Sequence, residues 1–168
     1  MVQAAIAATE MAATFEDFFE AERTPLFRAL CLITGDPGEA EEIAQDAFLR
    51  LWERWDRVRD MDHRAGYLYR SAMNGFRSRR RRLARAARFA LVPHREADAF
   101  EQSDLRDSVL RALDKLARRQ RAAGVLTDLL GYGSAEAGRL LGVKATTVRT
   151  LAAEARATLR NELERIDA

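Results

Sequence analysis

The chain has 168 residues, 28 of them Lys or Arg and 26 Asp or Glu, for a net charge of +2. That length serves one medium domain or two small ones. A single cysteine, Cys31, excludes an internal disulfide, and no apolar run reaches the roughly 18 residues a membrane span needs. The near-neutral total hides a polarity. Residues 1–60 hold six basic and 13 acidic residues, residues 61–95 ten and one, and residues 96–168 twelve of each. Surfaces with different partners are expected from such a division.

Taken in chain order, residues 1–13 are apolar but lack a basic stretch and carry Glu10, so they read as an N-terminal extension and a poor signal peptide. Thr14 with Asp17 three residues on predicts a capping box. The helix it opens takes apolar positions from Phe15, Phe18, Phe19, Leu26, Phe27, Leu30 and Ile33, and Pro25 should break or kink it. Cys31 falls in an apolar stretch and reads as a buried structural thiol. Residues 34–38, TGDPG, form a turn, with Pro37 suited to the first turn of the next helix. From Gly38 to Trp55 the residues Ala40, Ile43, Ala44, Ala47, Phe48, Leu51, Trp52 and Trp55 follow three-and-four spacing and predict a core stripe. The opposite face carries Glu42, Gln45, Asp46, Leu49, Arg50 and Glu53. Leu49 there is either a scattered surface leucine or an apolar contact within a polar docking face.

A third helix starts near His63 and runs into seven arginines between Arg77 and Arg88 with no acidic residue among them. Such a run is either a solvated tail or a surface for a polyanion. Leu68, Ala72, Gly75 and Phe76 point one way, while Tyr67, Arg70, Asn74, Arg77 and Arg81 share another face. Residues 92–102 are polar, hold a proline and lack periodicity, which predicts a flexible linker. A second helical unit follows. Leu105, Val109, Ala112, Leu113 and Leu116 build one helix, and Val125, Leu126, Leu129 and Leu130 another.

Residues 131–160 carry a helix-turn-helix pattern. Gly133 or Ser134 opens a short helix, Gly138 permits a close crossing, Gly142 takes a left-handed turn and Val143 plugs the core. Val148, Leu151, Ala155 and Leu159 are expected as the buried stripe of the second helix. Its outward residues include Lys144, Thr146, Thr147, Arg149, Thr150, Ala153 and Glu154, whose hydroxyls and cations suit phosphates and base edges in a major groove. An ordinary helical hairpin is the plainer alternative. The fold class expected is all-α: two small helical domains joined by a flexible linker, the C-terminal one containing the helix-turn-helix.

These pieces in this order resemble an extracytoplasmic-function (ECF) sigma factor, a bacterial RNA polymerase initiation factor. TGDPGEAEEIAQDAFLRLWER resembles the family's region 2 core helix, AGYLYRSAMNGFRSRRRR its −10 segment, and LARRQRAAGVLTDLLGYGSAEAGRLLGVKATTVRTLAAEARATLR its region 4. The resemblance implies region 2 over residues 14–91, a linker over 92–102 and region 4 over 103–168. It implies docking on the largest-subunit coiled coil and the flap of core polymerase, with Glu42, Gln45, Asp46, Leu49, Arg50 and Glu53 on the coiled coil. Tyr67, Arg70, Asn74, Arg77, Arg79, Arg80 and Arg81 would meet the −10 element. Arg139, Lys144, Thr146, Thr147, Arg149 and Thr150 would meet the −35 duplex. Tyr67 and Tyr69 would stack on unpaired bases, Asn74 would read a base edge, and the loop from Arg57 to His63 would receive a flipped-out base. An anti-sigma partner is implied by the resemblance alone. The chain departs from the family pattern at Met73, Ser78, Ala137, Leu151 and Glu154.

The rival reading is a helix-turn-helix regulator with a helical sensory or dimerisation domain. A membrane-surface anchor lacks aromatics interleaved with the arginines. An enzyme is the weakest reading. His63 and His94 stand apart from Cys31 and from each other, so no metal-ligand spacing, nucleophile–base pair or phosphate loop is present. No catalytic residue, metal or cofactor is expected, and the cytoplasm is the expected location.

Overall fold

The computed structural model describes residues 14–86 and 104–166. Residues 1–13, the expected linker over 92–102 and Arg88 lie outside the described residues.

The N-terminal half begins with α1, Phe15–Thr34. The Asp17 N–H donates to Thr14 Oγ1 at 3.1 Å and the Thr14 N–H to Asp17 Oδ2 at 3.3 Å, completing the capping box. Contrary to expectation, α1 runs through Pro25 without a break. Pro25 and Ala21, whose carbonyl loses its donor, are both exposed, so the freed group lies on the solvent side. Gly35 ends the helix with φ 71°, a conformation glycine adopts without steric cost. Helix α2, Pro37–Trp52, is capped by Asp36, whose Oδ1 accepts from the Glu39 N–H at 3.1 Å.

α2 ends three residues before the expected Trp55, which instead opens the short α3, Trp55–Val58. Trp52 is also not a core residue: it is 53% exposed. The core stripe is complete with Ala40, Ile43, Ala44, Ala47, Phe48 and Leu51, and Trp52 falls one position beyond the buried arc. Helix α4, Arg64–Ala86, buries Leu68, Tyr69, Ala72, Met73 and Phe76. Met73 is therefore a core residue.

The C-terminal half holds α5, Asp104–Asp114, α6, Arg118–Gly124, a π-helical turn over Val125–Leu129, α7, Ser134–Leu141, and α8, Ala145–Ile166. Val125 and Leu126 are buried as expected, but Leu129 is 61% exposed. The Leu130 N–H reaches back five residues to the Val125 carbonyl at 3.0 Å. That wider winding turns Leu129 off the buried face. Val109 is also partly exposed, at 39%.

One contiguous apolar core runs from Phe18 to Ala152, through both halves. Burying each large aliphatic side chain within it contributes about 1.5–3 kcal/mol. The halves meet where α1 and α4 face α6, α7 and the π turn. Tyr69 and Tyr132 pack there with ring centroids 6.2 Å apart. The described residues are helices and turns only.

Candidate nucleic-acid and polymerase interfaces

Burial on one side of α2 leaves Glu42, Gln45, Asp46, Leu49, Arg50 and Glu53 exposed together. Leu49 is 57% exposed amid these polar groups. Trp52, three residues on, extends the apolar part of this face. Its ring meets Phe15 edge-on at 4.8 Å, and with Phe19 they line a shallow groove edged by Glu16 and Glu20. Sequence reasoning placed Trp52 inside. Its three-residue spacing from Leu49 was the signal that it belongs beside Leu49.

On α4 the buried residues leave Arg70, Asn74 and Arg81 exposed, with Tyr67 half-buried. The Tyr67 hydroxyl accepts from Arg54 Nη1 at 3.0 Å, which fixes the ring's direction. Tyr69, expected to stack on a base, is buried at the junction of the halves and does not reach that face. Burial first, then Glu22 and then Tyr132, push its phenol up to about 12.

The arginines divide by environment. Arg79 pairs with Glu42 of the α2 face. The Arg77 guanidinium lies against Gly142 in the other half. Arg77 and Arg80 line a narrow gap with Arg119, Phe76, Leu141, Val143 and Leu151. Desolvation, then Arg119, Arg77, Arg81 and Arg118, lower the proton affinity of Arg80. The α4 face and this gap together form a strongly positive edge that carries the Asn74 amide and the Tyr67 ring, with Phe76 inside the gap. Single strands are held by such mixtures of stacking, hydrogen bonding and charge.

In the helix-turn-helix, a Cβ added at Gly138 would stand 2.7 Å from the Val143 carbonyl oxygen. Only glycine lets α7 cross the start of α8 so closely. Gly142 turns the chain with φ 66°, and the Val143 N–H donates to the Gly138 carbonyl at 2.9 Å. The fully buried residues of α8 are Val148, Ala152 and Ala155, while Leu151 and Leu159 are half-buried. The expected stripe is thus rotated slightly, so that Ala152 replaces Leu151 at its centre. Arg139, Lys144, Thr146, Arg149 and Thr150 are exposed and Thr147 is half-buried. Lys144 and Arg149 make no ion pair among the described residues. The Thr150 hydroxyl donates to the Thr146 carbonyl at 3.2 Å. Glu154 accepts from Gln120 Nε2 at 2.9 Å, tying α8 to α6. That contact gives a partner to the acidic residue that follows Arg149 and Thr150 on α8.

Among the described residues no three His, Cys, Asp or Glu side chains gather as metal ligands, and no helix is long and apolar enough to cross a membrane. Cys31 is half-buried, with its thiol pushed up to about 11 by burial and then by Asp36.

Residues 18–86 match the sigma-70 region 2 family, and residues 106–159 match sigma-70 region 4. The chain is 30% identical over 159 residues to the RNA polymerase sigma-E factor of Streptomyces avermitilis, covering 91% of this chain and 87% of that protein. It is 33% identical over 149 residues to the ECF RNA polymerase sigma factor SigM of Mycobacterium tuberculosis, covering 86% and 74%. Among solved structures, the sigma factor RpoE of Bartonella quintana, in complex with the anti-sigma factor NepR, superposes with a TM-score of 0.69 at 21% identity, over 89% of this chain and 96% of that one. CnrH, in complex with the cytosolic domain of CnrY, gives a TM-score of 0.57 at 25% identity, over 98% and 96%.

Proposed function

The chain belongs to the sigma-70 family of RNA polymerase sigma factors, in its extracytoplasmic-function class, and is an initiation factor that binds RNA polymerase and promoter DNA; we propose that its two jobs in the N-terminal half are divided between α2 and α4. Region 2 takes residues 14–91 and region 4 residues 103–168, with 92–102 between them. The exposed face Glu42, Gln45, Asp46, Leu49, Arg50 and Glu53, extended by Trp52, docks on the polymerase coiled coil. Tyr67, Arg70 and Asn74, with Arg77, Arg79, Arg80 and Arg81, hold the opened −10 strand. Arg139, Lys144, Thr146, Thr147, Arg149 and Thr150 read the −35 duplex, while region 4 meets the flap.

The observation that carries this division is the placement of an exposed apolar pair, Leu49 and Trp52, among acidic groups on α2, with a separate Tyr-Arg-Asn face on α4. On that second face Tyr67 stacks on an unpaired base, a contact worth about 1–3 kcal/mol. Asn74 offers a donor and an acceptor to a base edge. The arginines neutralise the neighbouring phosphates, which makes binding salt-dependent. The chain thereby assists melting by holding bases off their partners, without catalysis of its own. It acts in the cytoplasm, and an anti-sigma factor, as seen bound to the sigma factor RpoE, restrains it.

Substitutions separate the two jobs. Leu49→Asp leaves a charge in a contact that should be dry and is expected to abolish binding to core polymerase, with helix content unchanged by circular dichroism. Tyr67→Ala with Asn74→Ala is expected to retain polymerase binding and lose open promoter, read by permanganate reactivity of unpaired thymines. A template pre-melted across the −10 element should restore run-off transcription to that variant. Loss of polymerase binding in the α4 variant alone would reverse the assignment of faces.

A further inference from the structure

Arg54 belongs to neither face assigned above, yet its side chain holds Tyr67. It lies in the turn after α2, at the N-cap of α3. Its backbone is pinned on both sides. The Arg54 N–H donates to the Leu51 carbonyl at 3.1 Å, and the Arg54 carbonyl accepts from the Arg57 and Val58 N–H groups at 3.0 and 3.1 Å. Leu51 and Val58 are both fully buried, so the turn hangs from the core at each end. Trp55, the next residue, packs against Phe15 and Phe18 with ring centroids 5.5 and 5.7 Å apart. Arg54 thus starts from a fixed point and reaches 13 residues along the chain to the Tyr67 hydroxyl.

Tyr67 is held at its other end too. It sits in the first turn of α4, where its N–H donates to the His63 carbonyl at 3.2 Å. One side of the residue packs against the core, and the rest is open to solvent. A hydrogen bond at the far end of the ring removes the swing that remains about the Cα–Cβ bond. A ring ordered in this way stacks on a base without losing further side-chain freedom on binding.

Neighbouring arginines have other employment. Arg64 Nη1 donates to the Arg59 carbonyl at 3.1 Å and braces the loop between α3 and α4. Arg59 pairs with Asp60 at 3.8 Å. Arg54 is exposed, and among the described residues no carboxylate pairs with it. Its bond ends on the aromatic ring of the α4 face. An exposed guanidinium spent on a phenol adds little to the fold, so the bond points to a task of the ring.

We propose that Arg54 is a positioning residue for −10 recognition, holding the Tyr67 ring in the orientation that stacks on an unpaired base. This rests on the assignment of Tyr67 to the −10 strand and adds to it a residue outside α4. Arg54 acts through the ring and not by its own charge on the DNA. Loss of one such hydrogen bond corresponds to about two- to tenfold in affinity for the unpaired strand.

The test uses holoenzyme assembled from the full chain and core polymerase, on a template that supports run-off transcription by the parent. The template is left unpaired across −10 and carries 2-aminopurine, whose fluorescence stacking quenches, at one unpaired position at a time. Tyr67→Ala should brighten one position and so identify the base that meets the ring. Arg54→Met keeps the side chain's length but removes its donors and charge. It is expected to brighten the same position and to weaken binding by about two- to tenfold, with core polymerase binding and melting temperature unchanged. Tyr67→Phe keeps the ring and removes the acceptor, so it should match Arg54→Met, and the two together should be no weaker than either alone. An Arg54→Met protein as dark as the parent overturns the positioning role, as does one that loses polymerase binding or thermal stability. So does a loss that persists in full in the Tyr67→Phe background with the salt slope reduced by about 0.7, which would make Arg54 a phosphate contact instead. If Tyr67→Ala brightens no position, the −10 assignment of Tyr67 itself falls; a responsive position with an indifferent Arg54→Met removes only the positioning role.

Discussion

The two halves of the molecule bury their helices by different means. Among the described residues, the largest fully buried side chains are Phe76, Leu26, Leu30, Ile33, Ile43, Leu51, Leu68, Met73, Leu126, Val58 and Val148. Only Leu126 and Val148 come from the C-terminal half. That half buries Ala112, Ala122, Ala123, Ala137, Ala152 and Ala155, and no buried aromatic. The N-terminal half is thus filled by bulk, and the C-terminal half is closed by near contact of backbones. A core filled by bulk is vulnerable to lost atoms, and one closed by near contact is vulnerable to added atoms. Function follows the same division. The N-terminal half presents an acidic face on α2 and a basic one on α4, whereas the C-terminal half sets α8 against α7 through a tight turn.

The largest expected effect tests the first half of that contrast. Leu51 is fully buried at the end of α2. Leu51→Ala is expected to destabilise the chain by about 2–5 kcal/mol, and each kcal/mol should lower the melting temperature by roughly 2–4 °C. A shift of under a degree in calorimetry would show that the N-terminal core collapses easily around lost volume, against the contrast drawn.

The second half of the contrast is tested by a single methyl group. A Cβ at Gly138 stands 2.7 Å from a backbone oxygen, whereas a Cβ at Gly75, on α4, meets only Ile43 Cγ2 at 3.6 Å. Gly138→Ala is expected to cost about 1–3 kcal/mol and to weaken binding of a −35 duplex. Gly75→Ala should instead gain up to about 0.5–1 kcal/mol from reduced freedom of the unfolded chain. Denaturant midpoints moving in the same direction for both would remove near contact as the distinguishing feature of the C-terminal half.

Much of this was legible in the sequence because it is local. The Thr14 cap, the Pro37 start, the α2 stripe and the left-handed Gly142 each follow from a few neighbouring residues. The misses are of another kind. Pro25 lies within α1 because that side of the helix faces solvent, which no local rule reveals. Leu129 left its stripe when the backbone wound into a π turn, a change of period invisible to a count based on 3.6 residues. Trp52 and Tyr69 were misplaced in opposite directions, since a ring's burial depends on which helix arrives over it. Tyr69 is covered by Tyr132, 63 residues away. The junction arginines Arg118 and Arg121 drew no attention because their partners, Glu39 and Gly35, lie in the other half. Glu154 looked misplaced after Lys144, Arg149 and their threonine neighbours until Gln120 appeared beside it. Long-range contacts decided the placement of Tyr69, Arg118, Arg121 and Glu154.

The smallest expected effect appears only at alkaline pH and separates a contact within one half from a contact between them. The Tyr69 phenol is pushed up from its ordinary 10 to about 12, by burial first and then by Glu22 and Tyr132. The folded chain therefore favours the neutral phenol, whereas the unfolded chain releases the proton near 10. The resulting stability is fully present below pH 10 and is lost as pH rises toward about 12. Cys31, inside the N-terminal half, behaves likewise in a lower window, from its ordinary 9 to about 11, through burial and then Asp36. Tyr69→Phe keeps the ring against Tyr132 but cannot ionise, so its urea midpoint at pH 7 should stay near that of the parent. Above pH 10 it should fall less steeply than the parent does. Cys31→Ala should flatten the curve earlier, from pH 9, whatever its cost at neutral pH. If Tyr69→Phe loses stability between pH 10 and 12 as fast as the parent, then Tyr69 is not sealed between the halves, and the closed junction is looser than its ring packing implies.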